Sequence, residues 1–79
     1  MDRNEYLTRC QKASVALERN KRNQDLTDDV LVHYGDIKYI PSEYILTFDG
    51  KGNPKHTAVL KSLYSNSVQL VDLRRVEEC

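Results

Sequence analysis

Little in this 79-residue chain fits a secreted, fibrous or membrane-spanning protein. It holds only three Gly and two Pro, too few for a collagen-like or Pro/Gly-rich disordered segment. No apolar run exceeds four residues, far short of the roughly 20 that cross a bilayer, so a transmembrane helix is excluded. The opening Met1-Asp2-Arg3-Asn4-Glu5 is charged and lacks an apolar region, which speaks against a secretory signal. Cysteine occurs twice, at Cys10 and Cys79, whereas small domains stapled by disulfides carry larger even sets. The expectation is two reduced thiols in the cytoplasm. An excess of either charge is missing too: twelve Lys and Arg balance twelve Asp and Glu. A dedicated polyanion binder would be strongly basic.

What is present describes a folded domain, with 39% hydrophobic and 30% charged residues. The length allows one domain, whose core is thin because such a chain buries roughly 60–65% of its unfolded surface. Charge is segregated along it. Residues 1–22 carry a balance of +3, residues 25–49 one of −5, and the remainder +2. The basic first segment and the acidic second one are expected to face each other within the fold, although such segregation could also steer a partner.

The N-terminal 20 residues read as a helix, opened by Asp2 as cap with Glu5 three positions on. Tyr6, Leu7, Cys10, Ala13, Ser14 and Leu17 recur at three- and four-residue spacing and should share one stripe, with Arg3, Arg9, Lys12 and Arg19 largely in water. Residues 21–29 form a polar linker, residues 30–76 an antiparallel β region and residues 77–79 a tail. From Val30 the period falls to two and β-branched and aromatic residues dominate. Gly35-Asp36 signals a two-residue hairpin, and Pro41, lacking an amide donor, is expected to end the returning strand. Further strands are expected at Tyr44–Phe48, His56–Leu63 and Ser67–Val71, with Leu73-Arg74-Arg75-Val76 closing the domain as a 3₁₀ turn or end strand. The class is therefore α+β: an N-terminal helix packed on a small five-stranded antiparallel SH3-like barrel, or on a curled sheet that does not close.

Few chemistries have their residues. His33, His56, Cys10 and Cys79 show no metal-ligand spacing, so no metal is expected. The loop Asp49-Gly50-Lys51-Gly52-Asn53 has Lys51 where a calcium loop wants an acid, and reads as a turn. Cys10 with a histidine is the one conceivable nucleophile pair, and no phosphate loop is present; an enzyme and a cofactor are not expected. Recognition remains. A sheet edge can accept a partner strand or a second copy of the chain. Alternatively, tyrosines beside cations could stack on nucleic acid: Tyr34, Tyr39, Tyr44 and Tyr64 are available, with Lys38, Lys55, Lys61, Arg74 and Arg75. From these the candidate binding face is Tyr39, Tyr44, Tyr64, Lys38, Lys61, Arg74 and Arg75. The competing reading puts the tyrosines in a thin core with hydroxyls at its rim.

Asn4-Glu5-Tyr6-Leu7 with Cys10, then Tyr34 through Pro41, Tyr44–Phe48, His56–Leu60 and Asn66-Ser67-Val68, follow a pattern that is similar to a group of short proteins encoded by tailed phages and prophages of Firmicutes. That resemblance carries no functional motif. It implies a bacterial host cytoplasm and a small accessory or host-interaction product; with the other chemistries set aside, the expected role is binding another protein, with inhibition of a host defence system as a further alternative.

Overall fold

The computed structural model describes every residue except Lys21, Asn23 and Gln24, so three positions of the polar linker lie outside the described residues. Helix α1 spans Arg3–Asn20. Asp2 caps it, its Oδ1 accepting from the Glu5 amide at 2.8 Å. Four of the six expected stripe residues turn inward: Tyr6 and Ala13 are buried, Cys10 and Leu17 half-buried. Leu7 and Ser14 sit on its margin and are exposed.

Five strands follow: β1 (Val32–Tyr34), β2 (Ile37–Phe48), β3 (Pro54–Ser62), β4 (Val68–Asp72) and β5 (Glu77–Glu78). They form one antiparallel sheet in the order β4-β3-β2-β1-β5. β4 and β5 are its two edges, and they do not pair with each other: the sheet curls but does not close into a barrel. Between the two architectures that the sequence leaves open, the curled sheet is the one formed.

Three boundaries differ from expectation, each for a local reason. Val30 and Leu31 are buried but precede β1, because their amides close a turn onto the Thr27 carbonyl. Pro41 does not end a strand. It pairs with Leu60 inside β2, and the register shifts immediately afterwards, between Pro41 and Glu43. A bulge absorbs the missing donor and bends the strand, so two expected strands become one of 12 residues. Finally, the expected tail contains β5, whose Glu77 and Glu78 pair with His33 and Val32. The Gly35-Asp36 hairpin forms as read, with Gly35 at φ +64° and Tyr34 opposite Ile37.

Alternation along the strands defines the core. Val32, Tyr39, Ala58, Leu60 and Val71 fall on one face and enclose Tyr6, Leu73 and Val76. A second cluster joins Ala13 of the helix to Leu26, Val30, Leu31, Ile40 and Leu63. Tyr6 fastens the helix to the bulge: it is wholly buried, and its hydroxyl donates to the Val59 carbonyl at 2.8 Å beside the Ser42 backbone. Arg9 ties the helix to the acidic segment, its Nη1 donating to the carbonyls of Asp28 (2.9 Å) and Leu31 (2.7 Å). Lys38 pairs with Asp28 at 2.8 Å. The Arg9 contacts turn the basic first segment toward the acidic second one, while the Lys38–Asp28 pair lies within the acidic segment itself. Beyond the core, residues 46–56 are exposed on both faces and the β2–β3 hairpin projects as an arm, consistent with principal extents of 43 × 21 × 20 Å.

Candidate functional site at the open edge of the sheet

β4 is Val68-Gln69-Leu70-Val71-Asp72, built from residues that suit a pleated half-buried surface. One edge pairs with β3, register Lys61↔Val68 to Thr57↔Asp72, and among the described residues no strand pairs with the other. Natural edges are usually blunted by charge, proline, bulges or covering segments. From Val68 to Val71 this edge carries neither charge nor proline. Its side chains alternate, with Val71 in the core while Val68 and Leu70 are 51% and 64% exposed.

The chain leaves β4 through a 3₁₀ turn over Leu73–Arg75. Asp72 caps that turn by accepting from the Arg74 amide at 2.9 Å, and Arg74 returns as a fork, Nε to Oδ1 at 3.2 Å and Nη2 to Oδ2 at 2.9 Å. The Arg74 guanidinium and amide hold the Asp72 carboxyl well below the usual carboxylate range. Arg74 is thus occupied with Asp72, and the turn aims Arg75 outward, where it is exposed.

Because the sheet curls, Tyr34 at the end of β1 comes round toward β4, although the two strands are not neighbours in the ladder. Tyr34 packs partly on the main core, its ring 6.5 Å from that of Tyr39 and tilted by 50°. Between β1 and β4 lies an open seam of about 470 Å³, lined by Tyr34, Lys55, Thr57, Leu70, Val71, Asp72 and Arg75. Lys55 and Arg75 have no ion pair among the described residues. With Asp72 neutralised by Arg74, the seam presents two cations beside an apolar side chain and an unpaired backbone edge. Such a surface can hydrogen-bond an extended segment through its main chain.

The sequence-derived binding face is dispersed. Tyr39 is buried and its hydroxyl accepts from Gln69 Nε2 at 3.0 Å. Tyr44 lies at the base of the arm, its hydroxyl hydrogen-bonded to His56 Nδ1, its ring stacked 5.9 Å from that imidazole and 5.5 Å from the Arg3 guanidinium. Tyr64 is 80% exposed on the loop before β4, in the neighbourhood of Lys38. Lys61 is half-buried and lines a small hollow against the helix. Arg74 and Arg75 sit together beyond β4. Only Lys38 with Tyr64, and Arg74 with Arg75, are brought together, and Arg75 alone reaches the seam. Leu70 was missing from the sequence-derived face, since an alternating strand does not disclose whether it lies at an edge.

Cys10 meets Tyr6 rather than an imidazole, and burial pushes its thiol up to about 11. It stays protonated at neutral pH, a poor nucleophile. Burial likewise pushes the Tyr6 hydroxyl far above its ordinary value. The Asp49–Asn53 loop is a turn: the Asp49 carboxylate accepts from the amides of Lys51 (2.8 Å) and Asn53 (2.9 Å), and Gly52 takes φ +81°. Among the described residues no three His, Cys, Asp or Glu side chains converge, and no helix is long and apolar enough to cross a membrane.

No family model, no curated protein and no solved structure matches this chain.

Proposed function

We propose that this chain is a non-enzymatic protein-binding module, acting in a bacterial cytoplasm as a small accessory product of a phage or prophage. The observation that supports the reading best is the outer edge of β4, unpaired among the described residues and bearing the exposed Val68 and Leu70. An edge of this kind is a hazard to an isolated protein unless something covers it. A partner strand would satisfy its amides and carbonyls and bury both side chains. Nucleic-acid binding is the second reading. It is disfavoured by the tyrosines, since Tyr39 is buried and Tyr34 and Tyr44 are half-buried, leaving Tyr64 alone of the four with a largely exposed ring, too few for a stacking platform.

The test uses Leu70→Lys, which puts a charge on the edge in the manner of natural edge protection. Leu70 is largely exposed, so the change should move stability by no more than about 0.5 kcal/mol. The immobilised chain, exposed to a Firmicutes host lysate, should retain proteins that the variant loses. An identical set on both would refute this use of the edge. Retention of RNA or DNA at about 50 mM salt, falling steeply as salt rises, would favour the second reading instead.

A further inference from the structure

We infer that the occupant of the β4 edge is an extended, acidic peptide segment of a partner protein, seated in the seam between β1 and β4. The inference rests on the protein-binding reading above and adds the chemistry of the ligand. Three observations carry it. The first is shape: the seam is an open hollow of about 470 Å³ whose walls hold Leu70, Val71 and Asp72 of the edge strand, Lys55 and Thr57 of β3, and Tyr34 and Arg75. A strand fits between those walls; a helix would leave the β4 backbone unsatisfied.

The second is charge. Lys55, Asp72 and Arg75 are the charged residues of the lining, and Asp72 is taken by the Arg74 fork at 2.9 and 3.2 Å. Two cations remain without an ion pair among the described residues, so the complementary ligand carries carboxylates. The third is periodicity. Along β4, Val68 and Leu70 point to the exposed face and Gln69 and Val71 to the other. An added strand keeps this alternation, with an apolar residue beside Leu70 and acids two positions away, where Lys55 and Arg75 can reach them. A second copy of the chain fits less well. Its own β4 would bring Val68 and Leu70 into contact but offers only Asp72, already engaged, to the two cations.

Two acetylated peptides, repeats of Val-Thr-Glu-Thr or of Val-Thr-Lys-Thr so that the charged residue falls two positions from each valine, are titrated into the ¹⁵N-labelled protein. The glutamate peptide should shift the amides of β4 and of Tyr34 and protect β4 from exchange. It should bind roughly tenfold tighter than the lysine peptide at low salt, a difference that shrinks as salt rises. The Lys55→Glu/Arg75→Glu double variant should reverse the preference while melting as the parent does, since both side chains are exposed at the surface. Equal binding of both peptides, binding away from β4, or none up to about 1 mM overturns the acidic-strand inference. So does concentration-dependent dimerisation that Leu70→Lys abolishes, because the occupant is then a second copy. If the peptides fail while Leu70→Lys still loses its lysate partner, the binding-module reading survives and only the ligand chemistry falls.

Discussion

Replacing Tyr6 by phenylalanine removes one oxygen from the core and leaves the ring, so it isolates the link between helix and sheet. The hydroxyl has no contact with solvent, and it donates to the Val59 carbonyl at 2.8 Å where the Ser42 bulge interrupts the β2–β3 ladder. Without it that carbonyl is buried with one partner fewer. A lost hydrogen bond of this kind costs about 1–2 kcal/mol. For a domain of this size 1 kcal/mol shifts Tm by roughly 4–8 °C, so Tyr6→Phe should lower Tm by roughly 5–15 °C. Tyr6→Ala also removes the ring and leaves a cavity, at about 3–5 kcal/mol. Total stability for a chain this long is about 4–12 kcal/mol, so the alanine variant should be marginal or unfolded. The assay is thermal and urea denaturation of both variants, followed by circular dichroism. A Tyr6→Phe curve superimposable on the parent's would refute the role given to the hydroxyl. A Tyr6→Ala loss below about 1 kcal/mol would remove the ring from the core as well.

Arg9→Ala removes two donations that pin residues 28–31 to the helix and should cost about 1–2 kcal/mol by denaturation; an unchanged midpoint would contradict the clasp. Alkylation of Cys10 near pH 8 should proceed far more slowly than that of a model thiol, because its raised value keeps it protonated, and urea should accelerate it. Fast labelling of the native protein would contradict that burial. The Asp72 carboxyl is depressed in the folded state, so its contribution is present above the unfolded value near 4 and is lost as pH falls. Asp72→Asn should therefore flatten the acid limb of the stability profile and leave the alkaline limb alone; an acid limb as steep as the parent's would show that Arg74 does not hold the charge.

The helix, the change of period and the Gly35-Asp36 turn were legible because each is written locally, in spacing and in residues with strong backbone preferences. Pro41 misled for a physical reason. Its missing donor forbids a regular ladder position, but a bulge one residue later lets the strand continue, and the group that fills the irregularity is Tyr6, 36 positions upstream. Glu77 and Glu78 pair with β1 through a register that only the assembled sheet supplies. The same limit governs the site. That Val68 to Val71 forms a strand can be read from its residues. That it lies at the edge, with Tyr34 and Arg75 lining the same open seam, depends on strand order and curl, which local alternation does not encode. Basic residues near tyrosines in sequence were accordingly scattered over three regions of the surface.

Strand addition at β4 requires that its outer edge be bare in the isolated chain. Residue-resolved amide hydrogen exchange on dilute, monomeric protein examines this directly. Alternate amides within Val68–Asp72 should exchange quickly because they point away from β3, while the intervening ones and those of Thr57–Leu60 are protected. Uniform protection of all five β4 amides would mean that the edge is already covered, and the seam would then have no strand to receive.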